Sequence, residues 1–179
     1  MRLFIGIKIS KNTASYLSLL QKKIQVKYDA IKWAKPEKLH ITLKFMGNFD
    51  SKNLPQLIKS LNTVTFRTFT LNLNKVDVFP NIFHPRILWI GSKSNNHIQT
   101  LKKNIDSKLF ELKDENYVPH ITLGRISTKS SSFNLDQSLI DLSQINHSIC
   151  INQFHLIESI LSDKGSRYKT IESIISSKF

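Results

Sequence analysis

Two short stretches of this chain carry acid–base side chains at the same spacing. They are His40-Ile41-Thr42-Leu43 and His120-Ile121-Thr122-Leu123. On a β-strand alternate side chains share a face. Each stretch therefore presents a histidine with a threonine on one side and two aliphatic residues on the other. An imidazole, with an unperturbed pKa near ~6.5, accepts or donates a proton close to neutral pH. Two imidazoles on opposite sides of a phosphorus atom supply a base for an attacking water and an acid for the leaving oxygen. Threonine hydroxyls donate to the non-bridging oxygens, whose charge must be held in the transition state. A cyclic phosphodiester suits this set best, because ring strain makes P–O cleavage accessible without a metal.

Other chemistry fits part of the same set. A lone His-x-Thr on a strand is ordinarily a packed histidine, and only the second copy turns the argument towards function. Two imidazoles also ligate zinc, but a catalytic zinc usually has a third protein ligand. Only Glu37 lies within a few residues of either motif. No metal and no cofactor is expected. His84, His97, His147 and His155 lack such partners and are expected at the surface or in packing, with Phe83 and His84 near a substrate mouth.

The elements that position the motifs follow from periodicity. Residues 2–9 read as an apolar strand. Thr13 is placed to cap a helix over 13–27, with Leu17, Leu20 and Ile24 on one face. Residues 31–33 and 40–46 are strands. Leu54, Leu57, Ile58 and Leu61 mark a short helix. The alternating stretch 66–79 reads as one long strand, followed by a loop over 80–85. A strand over 86–91 precedes a helix over 95–111, a polar turn at 113–116 and a strand over 117–126. Residues 127–134 read as a Ser-rich linker, and 135–142 as a weak helix. Two strands, 147–161 and 168–176, close the chain around a turn at 162–165. Lys22-Lys23 and Lys102-Lys103 read as solvated helix faces.

The order repeats. Arg2-Leu3-Phe4-Ile5-Gly6 is similar to Arg86-Ile87-Leu88-Trp89-Ile90-Gly91, each is followed by a long amphipathic helix, and each helix by a His-x-Thr strand. The expected fold is α+β, a pseudo-twofold pair of β-α-β-α-β units over roughly 1–80 and 85–179. It forms one bilobal domain over 1–179, with antiparallel sheets lining a central cleft and helices outside.

Composition narrows the class. The 179 residues carry 26 Lys+Arg and 13 Asp+Glu, a net charge of +13. Residues 1–48 hold 10 basic and 2 acidic side chains, residues 49–132 hold 12 and 6, and residues 133–179 hold 4 and 5. A positive field over most of the chain attracts polyanions, nucleic acid first. Lysine-, isoleucine- and asparagine-rich usage also follows from genome composition alone, so charge by itself does not decide. The single cysteine, Cys150, excludes an internal disulfide framework. No apolar run reaches the ~18 residues of a membrane span. A cytoplasmic monomer without membrane association is the expectation.

At its motifs the sequence resembles the two-histidine (2H) phosphoesterases, and within them the RNA 2′,3′-cyclic phosphodiesterases, also called 2′-5′ RNA ligases. The resemblance runs through Arg2–Ile5, residues 33–47 (WAKPEKLHITLKFMG), Phe79-Pro80, residues 85–91 (PRILWIG), residues 119–125 (PHITLGR), Ser159, and residues 165–168. It implies metal-independent opening of a terminal 2′,3′-cyclic phosphate to a 2′-phosphate, with reversible 2′-5′ ligation. His40 would be the proton donor and His120 the proton acceptor. Thr42 and Thr122 would hold the phosphate, and Arg125 would lie near it. Strict alternation from His120 puts Arg125 on the wrong face, so that role needs a bulge, for which Gly124 is suited. Tyr168 and Ser159 match positions at the cleft rim. Phe45 and Phe79 would stack on a base or belong to the core. The implied partners are RNA with a 2′,3′-cyclic phosphate end, such as tRNA fragments, or 2′-5′-linked nucleotides. Two alternatives stay open: an RNA- or nucleotide-binding module without turnover, and a 2H phosphodiesterase acting on a small nucleotide.

Overall fold

The computed structural model describes residues 1–26, 31–92, 96–109, 117–127, 147–163 and 165–177. The expected turn at 113–116, most of the Ser-rich linker and the weak helix over 135–142 lie outside the described residues.

Among these residues the chain forms β1 (Arg2–Lys8), α1 (Lys11–Gln25), β2 (Ile31–Trp33), β3 (His40–Asn48), α2 (Leu54–Leu61), β4 (Phe69–Leu73), β5 (Lys75–Phe79), β6 (Ile87–Gly91), α3 (Asn96–Lys108), β7 (His120–Ile126), β8 (His147–Ile151), β9 (Gln153–Ile160) and β10 (Arg167–Ile175). One eight-stranded sheet has the order β10-β9-β1-β3-β7-β6-β5, with β2 alongside β7, and β4 pairs β8 in a second sheet. Every pairing between these strands is antiparallel. The fold is α+β, as expected.

Local chemistry explains the elements and three departures from the expected ones. Ser10, not Thr13, caps α1. The Ser10 hydroxyl oxygen accepts the Thr13 backbone N–H at 3.1 Å, the geometry of an N-cap. Thr13 is buried one turn in, where its hydroxyl oxygen lies 3.1 Å from His147 Nε2. The stretch 66–79 is two strands, because its inward positions change parity: Phe69, Leu71 and Leu73 are buried, then Val76 and Val78. At Asn74, whose N–H bonds Gly91 O, the chain leaves one sheet for the other. The stretch 147–161 divides in the same way at Asn152, giving β8 in the small sheet and β9 in the large one.

The pairings fit a duplicated unit in which each half lends a strand to the other. β5, from the first half, pairs with β6, and β9, from the second, pairs with β1. The two copies are not in the register that the sequence similarity suggests. Gly6 lies opposite Thr42, whereas Gly91 lies opposite His120, an offset of two residues. Both glycines are required by close approach. A Cβ at Gly6 would sit 2.8 Å from Ile41 O, and one at Gly91 would sit 2.4 Å from Pro119 O.

One ionic cluster is buried between α3 and β3. Asp106 accepts from Lys102 and, at 3.1 Å, from Lys44, and all three side chains are at most 10% exposed. Lys102 is therefore not on a solvated face. Its ammonium lies 5.5 Å from the Tyr117 ring, and its aliphatic stem fills space that water would otherwise reach. Replacing Asp106 by alanine removes the carboxylate that pairs with the buried Lys102 and Lys44 ammonium groups. The expected cost is about 3 kcal/mol or more, read as a lowered midpoint in urea denaturation.

Candidate active site

The two motif strands meet at a single residue pair, Ile41 opposite Ile121. The antiparallel register through that pair brings His40 level with Thr122 and Thr42 level with His120. Both isoleucines are fully buried, as are Leu43 and Leu123. The histidines and threonines on the other side are half-buried. The four residues singled out as catalytic thus converge on one face at the junction of the two halves.

Each imidazole is fixed by the same contact. His40 Nδ1 lies 2.6 Å from Lys38 O, and His120 Nδ1 lies 2.8 Å from Val118 O. A carbonyl only accepts, so Nδ1 carries the proton in both rings. Nε2 is then able to accept a proton when the ring is neutral and to donate one when it is charged. Two further rings hold each imidazole. Phe4 and Tyr168 stand 4.9 Å and 5.2 Å from His40, and Phe79 and Trp89 stand 5.0 Å and 5.8 Å from His120. These packed rings withdraw the imidazoles from water. Burial holds both pKa values below the ordinary 6.5, against the opposing pull of each carbonyl. A positive charge on His120 lowers His40 further. Burial thus favours the uncharged form of both rings in the free protein.

A bulge follows each motif. On β7 the partners run Trp89 to Thr122 and then Leu88 to Gly124, so Leu123 is the extra residue. On β3 they run Gly6 to Thr42 and then Ile5 to Lys44, so Leu43 is the extra residue. A bulge resets the alternation of its strand. Arg125 is thereby exposed and opposite Ile87, on the side of Trp89 and His120. The bulge required for Arg125 is present. Its counterpart five residues after His40 is Phe45, which is 75% exposed and outside the core. Lys44 is turned inward to Asp106 by the same bulge.

The remaining sequence candidates divide. Tyr168 packs edge-on against His40 and lies opposite Ser159 in the β9–β10 hairpin. Ser159 is half-buried beside it. His97 stacks on Phe69 and His147 on Tyr16. His155 is buried against Ser173. His84 and Phe83 are exposed. Sequence reasoning missed Phe4 and Trp89 as walls of the two imidazoles, although both lie in the repeated strands. It also missed Tyr117, whose hydroxyl donates to Thr42 O at 3.0 Å. Among the described residues no three His, Cys, Asp or Glu side chains group as metal ligands, and Glu37 is exposed.

Two cavities flank the histidine pair. One, of about 350 Å³, is lined by His120, Thr42, Phe45, Phe79 and Tyr117. The other, of about 770 Å³, opens from His40 and Tyr168 along α1.

Solved structures share this fold. A protein of Thermus thermophilus superposes with a TM-score of 0.80 at 22% identity, covering 98% of this chain and 97% of that one. The LigT protein of E. coli superposes at 0.75 and 18% identity, covering 99% and 98%. Residues 7–89 match the family described as LigT like phosphoesterase. The chain is 30% identical over 174 residues to an RNA 2′,3′-cyclic phosphodiesterase of Archaeoglobus fulgidus, covering 96% of this chain and 98% of that protein. A namesake from Methanocaldococcus jannaschii is 30% identical over 176 residues, covering 96% and 99%. This chain belongs to the LigT-like, two-histidine phosphoesterase family.

The lowered pKa values carry a stability consequence. Between the native values and 6.5 the unfolded chain binds protons that the fold refuses, so unfolding is favoured as pH falls through that window. Above about pH 7 the effect vanishes. A His40→Gln, His120→Gln double variant is expected to lose less stability than the wild type on acidification, measured by urea denaturation at a series of pH values. His155, also held below 6.5 by burial and by Lys8, contributes in the same direction in both proteins.

Proposed function

We propose that this enzyme hydrolyses the terminal 2′,3′-cyclic phosphate of RNA to a 2′-phosphate, without a metal. The observation that carries the reading is the convergence of two Nδ1-tethered imidazoles on one face, each beside the other motif's threonine. Curated relatives over nearly the full length are RNA 2′,3′-cyclic phosphodiesterases, and a solved LigT structure holds 3′-AMP.

In this mechanism His120 Nε2 takes a proton from water as the oxygen attacks phosphorus. The P–O3′ bond breaks, and His40 Nε2–H protonates the departing 3′ oxygen. The proton returns from His120 to His40 through solvent. Thr42 and Thr122 donate to the non-bridging oxygens, and Arg125 balances the charge that grows there. Phe45 offers an exposed ring to a base, and Tyr168 and Ser159 border the acid side. Reversible 2′-5′ ligation follows when a ribose 5′-hydroxyl replaces the water. The substrates this reading names are cleaved RNAs, tRNA fragments among them. We further read the enzyme as one bilobal unit working as a cytoplasmic monomer. One chain supplies both halves of the site, and the free, exposed Cys150 suits a reducing compartment.

An EDTA-treated preparation given a short RNA with a 2′,3′-cyclic phosphate end should yield the 2′-phosphate. A 3′-phosphate product would reverse the leaving-group assignment, and no turnover would favour a binding module. Alanine at His40 or His120 should lower kcat by about 10²–10⁴-fold. Because both imidazoles lie below 6.5, the bell-shaped kcat/KM profile should peak on the acid side of that value. The kcat profile should peak at higher pH, since bound phosphate favours the charged imidazole.

A further inference from the structure

The two cavities beside the histidines differ in chemistry. The one at His120 is compact and lined by aromatic rings and by Lys44 and Lys102, both paired with Asp106. The one at His40 is about twice the volume, and four lysines line it: Lys8, Lys11, Lys22 and Lys38, against one carboxylate, Glu37. Among the described residues none of the four ammonium groups has a carboxylate within ion-pair distance.

Its long wall is one stripe of α1. Lys11, Ser15, Ser18 and Lys22 follow at intervals of four, three and four residues, which puts them on one face of the helix. The stripe is about 16 Å long at ~1.5 Å per residue, the reach of a few nucleotides. The two serines keep its middle low. Leu19, 60% exposed and lining the same groove, gives an apolar surface beside it. Lys8 lies directly across from His40 in the sheet, so the groove starts at the acid.

We infer that this groove is the track for the RNA chain leading 5′ from the cyclic phosphate, making the enzyme selective for polynucleotides over mononucleotides. The inference rests on the functional reading above, and it extends it by the direction of the strand. The leaving 3′ oxygen stays on the ribose that is joined to the rest of the RNA. That ribose lies on the side of the residue protonating it, which is His40. The chain therefore runs out through the His40 cavity, while the attacking water or 5′-hydroxyl enters through the His120 cavity. Phosphates spaced along the stripe meet Lys11 and Lys22 at its two ends, and the bases between them meet Leu19.

The test compares a 2′,3′-cyclic mononucleotide with an oligoribonucleotide of about five residues carrying the same end, on wild type and on a Lys11→Glu, Lys22→Glu variant. The wild type should prefer the oligonucleotide, with a kcat/KM that falls steeply with salt. The variant should lose about tenfold on the oligonucleotide at low salt, mostly in KM, and its salt slope should flatten by ~0.7 for each lost phosphate contact. The mononucleotide, which lacks the chain phosphates assigned to Lys11 and Lys22, reports on folding and chemistry in both proteins. Equal losses on both substrates, or no loss on either, would overturn the track. So would a wild type that turns over the mononucleotide as well as the oligonucleotide. Hydrolysis of neither would overturn the reaction class instead. Fluorescence anisotropy of a labelled oligoribonucleotide ending in a 2′-phosphate then still decides the groove: salt-dependent binding weakened in the variant supports it, and equal binding overturns it.

Discussion

The pairing of Ile41 with Ile121 is the contact on which the rest of the site depends. It is the point at which β3 and β7 touch, and it joins the two halves of the large sheet. Both side chains are fully buried, so the hydrophobic core fixes which face of each strand turns to the cleft. A slip of one residue would exchange the isoleucines for the histidines on that face. The placement of the two imidazoles is here a by-product of register. Burial of two aliphatic side chains positions two imidazoles that have no direct bond to each other.

The strands then depart from ideal pairing at the same point in each copy. A bulge at Leu43 turns Lys44 inward and Phe45 outward, and one at Leu123 carries Arg125 to the cleft side. The two halves thus present different groups at matching places, an aromatic ring in one and a guanidinium in the other. The walls differ as well: Phe4 and Tyr168 stand at His40, Phe79 and Trp89 at His120. The frame is symmetric and its walls are not.

Electrostatics follow from the same packing. The rings that hold the imidazoles also remove water, and burial keeps both below their ordinary pKa. Their backbone tethers oppose this and fix the tautomer. Asp106 is shared by the buried ammonium groups of Lys44 and Lys102. Lys44 and Lys102 both border the His120 cavity. The strongly basic first 48 residues include the lysines along α1 and Lys38, so the sequence's uneven charge becomes a located groove.

Much of this was legible in the order of residues. Period-two alternation identified the motif strands and their cleft faces, and apolar spacing located the three α-helices of the described residues. The repeated tetrapeptide announced two equivalent strands, and the resemblance named the chemistry. Parity also encodes the break between two strands: the change from Leu73 to Val76 marks the end of β4, and Ser10 is as good a cap by residue type as Thr13. Other features depend on contacts between residues far apart in the chain, which no local pattern encodes. The exchange of β5 and β9 between the halves is one, and the two-residue offset between Gly6 and Gly91 is another. The inward turn of Lys102 needed Asp106 and Lys44 brought together across 62 residues. Which residues could act was determined by the sequence itself. Where they meet was decided by tertiary structure, because register, bulges and burial are set by partners that only the folded chain supplies.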